Sequence, residues 1–301
     1  MNEQAQGLYQ KFNVTRTDGR HAEGEKHATC EYFVLDISHD KHALPALAAY
    51  AASCKDDFPL LAADLRSKTV ASTTADNAFI TVPETTLPNG VTVPAFQVGK
   101  FLCSKGPMDI PQVNALAAPW VEIDYAEARQ ACAGAGLVLI TEFQALAIAH
   151  DIAGQGINWT GGTVGEGNVF QGLHKGKVSC AQHADFVSDD PDERRWHELS
   201  NGERIFDFAG NAYTWVFDDV QGDEQGLVAK AFAENSPSIA TAPHPSMTSG
   251  MGWRPPAGRD WSGNALVRGG YWYDEDNAGV FYLYRDWPVY RDGDVGFRCT
   301  K

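Results

Sequence analysis

The N-terminal part of the chain mixes strand-like and helix-like patterns of apolar and polar positions. Residues 8–16 alternate in the period-two manner of a β-strand, and the compact apolar run at 32–36 predicts a second strand. Residues 45–52 are rich in helix formers and begin with proline, which suits the first turn of a helix. A second short helix is predicted over 58–66. Together these patterns predict a small N-terminal α/β module over residues 1–70.

A polar stretch follows this module. Residues 68–77 carry no apolar periodicity, and we predict a linker over 71–89. Apolar residues return from Val91 to Val98, where we expect the first strand of a β-rich domain that continues to residue 301.

Two helix starts are marked by reciprocal capping pairs. Asp124 precedes Glu127 by three residues, and Thr141 precedes Gln144 by the same spacing. In each pair, the first side chain can accept from the backbone of the second residue while the second side chain returns the bond. The sequence therefore predicts helices over 124–133 and 141–153.

Two long irregular stretches and one turn complete the pattern. Residues 154–176 are rich in glycine, and residues 221–263 contain five prolines. Loops of this length commonly form an external face of a compact domain. Between them, Gly210-Asn211 separates two apolar runs, and because both residues tolerate positive φ, we predict a hairpin turn there.

The closing segment is enriched in aromatic residues. Nine of the thirty residues from Arg268 to Phe297 are aromatic, against 11% for the whole chain. Most are tyrosines interleaved with aspartates, whereas a core segment would be rich in Leu, Ile and Val. Tyrosine offers rigid contact area with a hydroxyl group, and Asp and Arg add polar specificity, which is the chemistry of antibody-type binding faces. We expect Trp272, Phe281 and Phe297 to be packed inside and the tyrosines to lie on the surface.

Composition and charge narrow the classes of partner. The formal net charge of −15 and the lack of a basic patch exclude a nucleic-acid partner. No apolar run approaches eighteen residues and the first residues carry no signal-peptide pattern, so we expect a soluble protein without membrane insertion. Export on a phage particle is one route by which such a protein reaches the outside of a cell.

Cysteines and histidines give no metal signature. The six cysteines include no CxxC pair, and their wide spacing fits disulfides and buried free thiols equally well. His21, His27, His39 and His42 match no closed zinc pattern, so we interpret them as solvated or capping side chains.

The order of several motifs resembles the formylglycine-generating-enzyme family, also called sulfatase-modifying factors. The motifs are Pro119-Trp120, the helix start at Asp124 with Tyr125 and Ala128, Cys132, Thr141-Glu142-Phe143, Gly210-Asn211-Ala212-Tyr213-Thr214-Trp215, Arg268-Gly269-Gly270 and Gly296-Phe297-Arg298. The closing frame from Arg-Gly-Gly to Gly-Phe-Arg is the most specific of them. The resemblance implies an α+β, loop-rich C-type lectin fold of the formylglycine-generating-enzyme type over residues 90–301.

Within that family, the chain is more similar to the variable proteins of diversity-generating retroelements. In those proteins, adenine-directed mutagenesis rewrites the segment between Gly-Gly and Gly-Phe-Arg, here within 268–298, around the fixed stretch Ala278-Gly279-Val280-Phe281. Changes at the first two bases of an Asn codon yield Tyr, Asp, Arg, Val or Phe. The residues reachable in this way include Tyr271, Tyr273, Asp274, Tyr282, Tyr284, Arg285, Asp286, Tyr290, Arg291, Asp292 and Asp294. Glu275 and Trp287 would require a different template codon.

The resemblance implies binding rather than catalysis. The enzymatic branch of the family uses a cysteine pair in the closing segment for copper and O₂ chemistry, and thiolates suit the soft Cu(I) ion. No cysteine lies between Arg268 and Arg298, and Cys299 stands alone beyond them. We therefore expect no formylglycine generation and no cofactor. Calcium near Asp207 is left open, since one carboxylate is weak support for a cation that takes about 6–8 oxygens.

The sequence thus predicts a non-enzymatic, receptor-recognition protein, encoded by a phage or prophage and associated with a virion, that binds a protein or glycan on a target cell. Its predicted ligand-binding surface comprises Tyr271, Tyr273, Asp274, Asp276, Tyr282, Tyr284, Arg285, Asp286, Trp287, Tyr290, Arg291, Asp292 and Asp294. One alternative is a metal-dependent enzyme of the same fold, for which His174, His183, His197 and His244 show no paired spacing. The other is a structural virion protein that self-associates through the aromatic face.

Overall fold

The chain divides into two compact units, Met1–Ser72 and Thr73–Lys301. The computed structural model describes residues 13–36, 40, 43–65, 78–240 and 249–301. The domain boundaries expected from the sequence, at residues 70 and 90, stay a prediction.

The described part of the first unit is helical where helix formers cluster. Helix α1 spans Ala43–Ser53 and α2 covers residues 59–65, which confirms both predicted helices. The strand predicted at 32–36 is wrong, because these residues pair with no other strand and Phe33 is 75% exposed. Of the strand predicted at 8–16, residues 8–12 lie outside the described residues, and the rest form no strand.

The second unit, over its described residues, has fourteen short strands. They are β1 (Phe79–Val82), β2 (Thr85–Thr86), β3 (Thr92–Val93), β4 (Phe96–Gly99), β5 (Cys103–Lys105), β6 (Pro111–Val113), β7 (Val138–Leu139), β8 (Trp196–Glu198), β9 (Arg204–Phe206), β10 (Tyr213–Val216), β11 (Ala265–Arg268), β12 (Leu283–Asp286), β13 (Val295–Phe297) and β14 (Cys299–Thr300). One four-stranded sheet has the order β1-β4-β14-β7 and the other β12-β11-β10-β13, while β2-β3, β5-β6 and β8-β9 form separate pairs. Only β10 and β13 run parallel among these described pairs. The unit is therefore a mixed, β-rich α+β structure.

The beginning of this unit differs from the sequence expectation in two places. Strands β1 and β2 lie within the range assigned to a linker, and β1 pairs with β4 from Phe79↔Gly99 to Val82↔Phe96. The strand expected over 91–98 is divided into β3 and β4, with Pro94 between them. Proline has no N–H to give to a strand ladder, which accounts for the interruption.

Two helices pack into the second unit, and both begin as predicted. Helix α3 spans Tyr125–Gly134 and α4 spans Glu142–Ala153, and each has the expected capping box, Asp124 with Glu127 and Thr141 with Gln144. Helix α4 is buried along most of its length, and its apolar side chains belong to the main core with β1, β4, β11 and β12. None of the helices in the described ranges is long and apolar enough to cross a membrane.

The turn at Gly210-Asn211 is confirmed, but the hairpin is wrong. Gly210 and Asn211 have φ of 70° and 66°. The flanking strands do not pair with each other, because β9 pairs with β8 while β10 lies between β11 and β13. Both edges of β10 are therefore occupied by strands that come from the closing part of the chain.

Candidate ligand-binding surface

Two buried arginines hold the ends of the closing segment. At its start, Arg268 Nε donates to Glu142 Oε2 at 2.7 Å, Nη2 contacts the other carboxylate oxygen, and Nη1 donates to the carbonyl of Phe281 at 3.2 Å. At its end, Arg298 donates to the carbonyls of Gly99 at 2.5 Å and Phe206 at 2.6 Å. Burial lowers the pKa of Arg298 to about 10, so it stays charged at neutral pH. Both ends of the segment are thus anchored inside the unit.

The Gly269-Gly270 pair makes a turn that side chains cannot fit. Gly269 and Gly270 have φ of 91° and 85°, in the region that favours glycine. A Cβ at Gly270 would lie 2.8 Å from Cα of Ala278, and one at Gly269 would lie 2.9 Å from the carbonyl oxygen of Phe208. The Gly-Gly part of the frame is therefore required by the backbone path.

The stretch 278–281 forms part of the core. Ala278, Val280 and Phe281 are at most 1% exposed, and the side-chain amide of Gln171 donates to the carbonyl of Ala278 at 2.7 Å. Phe281 was expected to be packed inside, as was Phe297, and both are buried. Trp272 is half-buried and packs against a small cluster with Leu102 and Ala212.

The positions expected to bind ligand mostly retain solvent exposure. Tyr273 is 61% exposed, Trp287 65% and Tyr284 39%. The other exposed members are Asp276, Arg291 and Asp292, and the half-buried ones are Tyr271, Asp274, Arg285, Asp286, Tyr290 and Asp294. These residues lie on the turn after β11, on β12 and on the loop before β13. Whether they bind a ligand stays a prediction.

Tyr282 departs from the expectation that the tyrosines lie on the surface. It is 5% exposed, and its ring stacks on that of Tyr213 with a centroid distance of 5.6 Å. The backbone of Gly252 passes so close to Tyr282 that a Cβ there would meet the Tyr282 nitrogen at 2.6 Å. Since its hydroxyl lies 3.2 Å from the hydroxyl of Tyr213, the buried phenol has a polar partner. Tyr282 is therefore part of the buried packing on which the exposed residues of the surface rest.

Tyr213, at the start of β10, connects the parts of this surface. Its N–H donates to the carbonyl of Asp294 at 2.8 Å, and its hydroxyl donates to Asp274 Oδ1 at 3.0 Å. Its ring also lies 4.9 Å from that of Tyr271. Sequence reasoning missed this residue because only the position of β10 between β11 and β13 brings it to the closing segment.

Burial changes the acidity of the carboxylates around Tyr213. It raises the pKa of Asp274 to about 6, against the hydrogen bonds from Tyr271 and Tyr213. Burial, followed by the neighbouring charge of Asp292, raises the pKa of Asp294 to about 6. The pKa of Asp286 is also raised by burial. Because the negative charge of Asp294 also raises the pKa of Asp274, the two carboxylates belong to one electrostatic neighbourhood.

A second aromatic group extends the surface beyond the closing segment. The ring of Tyr284 lies 5.6 Å from that of Trp253 and 5.6 Å from that of Trp261, edge-on to both. The Trp253 backbone N–H donates to the carbonyl of Asn277 at 2.8 Å, which ties this loop to the turn after β11. Both tryptophans come from the proline-rich loop. Two tryptophans in an otherwise polar stretch were the sequence signal that could have indicated their part in this surface.

The remaining candidates for chemistry are engaged in local structure. His174 Nδ1 lies 2.8 Å from the carbonyl of Gly172, His183 contacts Asp185, and burial lowers the pKa of His197 to about 4. His39, His42 and His244 lie outside the described residues. Among the described residues, no group of three or more His, Cys, Asp or Glu side chains could hold a metal ion.

Asp207, near which calcium was left open, is paired with a guanidinium group. Arg195 donates to its two carboxylate oxygens at 2.7 and 2.6 Å, and both side chains are buried. The six cysteines are free, with Cys54, Cys103, Cys132 and Cys299 buried. Cys103 and Cys299 Sγ lie 3.3 Å apart, across β5 and β14.

Several solved structures are similar to this chain, although their sequence identity to it is low. Treponema denticola variable protein 1 matches over 75% of this chain and 92% of its own, with 12% identity and a TM-score of 0.39. The M1 variant of a major tropism determinant matches 75% of this chain, with 13% identity and a TM-score of 0.39, and the chain spans only 55% of that protein. PvdO from Pseudomonas aeruginosa matches with 13% identity over 74% of this chain and 90% of its own, with a TM-score of 0.33. No family model and no curated protein matches the sequence.

Proposed function

We propose that this protein is a non-enzymatic binding protein whose C-terminal unit is a C-type lectin fold of the formylglycine-generating-enzyme type. Its closing segment is a retroelement-diversified surface that recognises a protein or glycan on a target cell. The protein is encoded by a phage or prophage and is carried on the virion.

One observation carries this proposal. Of the eleven Tyr, Asp and Arg positions named above that adenine-directed change of an Asn codon reaches, ten retain solvent exposure, and Tyr282 is the exception. The residues that the frame keeps fixed are buried: Arg268, Ala278, Val280, Phe281, Phe297 and Arg298. Exposed side chains contribute little to stability, whereas buried ones contribute much. The exposed positions can therefore change without loss of the fold.

The diversification part is tested in the neighbouring DNA. We expect a near-copy of the codons for 268–298 that differs from the gene only at adenines, beside a gene for a reverse transcriptase. Sequencing the gene through passage of one clonal population should then show changes confined to the codons whose template copies contain those adenines. Absence of the copy would remove diversification from the proposal.

The binding part is tested with two display libraries of the full chain. The first randomises Tyr273, Tyr284, Trp287, Arg291 and Asp292, and the second randomises the buried frame positions Arg268, Gly270, Val280, Phe281 and Arg298. Selection against a purified probe protein, such as lysozyme, should yield folded binders from the first library and few folded clones from the second. Equal survival of the two libraries, or no binder from the first, would contradict the proposal.

A further inference from the structure

The surface formed by residues 271–294 carries an excess of negative charge. It contains six carboxylates and two guanidinium groups, a net charge of −4, and no lysine or histidine. The carboxylates belong to Asp274, Glu275, Asp276, Asp286, Asp292 and Asp294. Like the chain as a whole, this surface would repel an anionic ligand.

The net charge of −4 already counts the two arginines of the segment, and both have hydrogen-bond partners outside it. Arg291 donates to Asp124 Oδ2 at 3.0 Å and contacts Glu127, so it is paired with carboxylates of the helix α3 start. Arg285 donates to the side-chain oxygen of Asn264 at 3.3 Å. Within the described ranges, none of the six carboxylates of the segment forms an ion pair with an Arg, Lys or His side chain. A cationic ligand would therefore complement the charge of this surface.

Aromatic side chains of the same surface are exposed to solvent. Tyr273 and Trp287 are more than half exposed, and Val289 on the same loop is 77% exposed. The faces of Tyr and Trp rings attract cations, and a planar guanidinium group can stack on them while it binds a carboxylate through two hydrogen bonds. The chain itself contains such stacking, since the Arg194 guanidinium lies 3.8 Å from the centroid of Phe170 and 3.9 Å from that of Trp196.

Resting on the proposed function, we propose that the occupant of this surface is an arginine-bearing segment of a protein on the target cell. Its guanidinium groups stack on Tyr273 and Trp287 and pair with the carboxylates beside them. A neutral glycan would leave the carboxylates without a cationic partner, and an acidic glycan would be repelled. Lysine would satisfy the charge but lacks the planar group that stacks and binds in two places.

The test uses the full chain and a set of immobilised twelve-residue peptides. The probes are Gly-Ser peptides that contain three arginines, three lysines, three aspartates or no charged residue, together with a neutral and a sialylated oligosaccharide. The site variant is D276N/D286N/D292N, and a second variant is Y273S/W287S. The control variant, E84Q/E166Q/E203Q, removes the same charge at exposed positions outside the segment.

We expect the wild-type chain to retain the arginine peptide more strongly than every other probe. Loss of charge-assisted bonds or of stacking should lower retention by the site variants on the order of tenfold. The control variant should change it by less than about twofold, because its three carboxylates lie outside the segment and exposed charges are screened at physiological salt. Equal losses in the site and control variants would overturn the inference, as would preferential retention of any other probe or no retention of the arginine peptide.

Failure of this inference is distinguishable from failure of the proposed function. If an oligosaccharide or a neutral peptide binds and Y273S/W287S abolishes that binding, the surface still recognises a ligand, and only the cationic partner is wrong. If the library randomised at the exposed positions yields no binder for any probe protein, the proposed function fails as well.

Discussion

Between residues 268 and 298, buried frame positions and exposed display positions follow one another along a single stretch of chain. Frame residues such as Arg268 and Phe281 are nearly fully buried and have fixed partners in α4 and the core. Display residues such as Tyr273 and Trp287 have more than half of their surface in solvent. The frame side chains therefore keep the backbone in place while the exposed set is free to change, and under the proposed function the exposed set carries recognition.

The largest effect is expected at the buried ion pair of the frame. Arg268→Met leaves the fully buried Glu142 carboxylate without its guanidinium partner. Removing one member of a buried pair costs about 3–5 kcal/mol. Urea unfolding should show this loss, and the double variant R268M/E142L should recover much of it, because no uncompensated charge remains. A double variant no more stable than R268M would show that the pair has a role beyond charge compensation.

A smaller loss is expected at the glycine turn. Gly270→Ala places a Cβ 2.8 Å from Cα of Ala278 at a φ of 85°. Strain of this kind costs on the order of 1–3 kcal/mol. The matched control is Gly293→Ala in the loop before β13, where a Cβ would have no neighbour within 4 Å. Thermal unfolding should separate the two variants, and equal midpoints would contradict the division into frame and display positions.

Because half-buried carboxylates such as Asp274 titrate differently in the folded and unfolded states, the free energy of unfolding depends on pH. The pKa of Asp274 is about 6 in the folded chain against 3.8 when unperturbed. The folded state therefore binds more protons than the unfolded state between these values, so the contribution of Asp274 to stability falls as pH rises from about 4 to about 6 and stays at its lower level above that range. With allowance for screening by solvent, the change is about 1 kcal/mol.

The check is the free energy of unfolding from pH 4 to pH 7 for the wild-type chain and for D274N. The asparagine variant keeps an oxygen acceptor for Tyr213 and cannot titrate. Its free energy of unfolding should therefore vary less with pH than that of the wild-type chain, by the amount expected from Asp274. A steeper profile, or an identical one, would show that folding does not raise the pKa of Asp274.

The smallest effect is expected at the display positions. Trp287→Ser and Tyr273→Ser should each change the free energy of unfolding by less than about 0.5 kcal/mol, since surface substitutions of this kind rarely do more. The contrast is Tyr282→Ser, which removes a buried ring and should destabilise by several times that amount. A loss at Trp287 as large as at Tyr282 would place Trp287 in the frame.

Local rules correctly predicted the elements whose signals lie close together in the sequence. Both capping boxes formed because Asp124 and Glu127, like Thr141 and Gln144, need only one helical turn to meet. Gly210 and Asn211 adopt positive φ for the equally local reason that these residue types tolerate it.

Local rules failed where the outcome depends on which strands become neighbours. The hairpin at Gly210-Asn211 did not form because β11 and β13, distant in sequence, occupy the edges of β10. The same arrangement placed Tyr213 under the closing segment and buried Tyr282 against it. Nothing in the residues around Tyr282 distinguishes it from Tyr284, which is 39% exposed.

The sequence by itself determined the helix starts, the Gly-Gly and Gly-Phe-Arg frame and the concentration of Tyr and Asp between them, because residue type and short spacing decide these features. Only the tertiary structure decided which tyrosines face solvent, that Trp253 and Trp261 join Tyr284, and that Asp274 and Asp294 share one neighbourhood. Exposure and electrostatic coupling depend on distances between parts of the chain that meet only when the sheet is assembled.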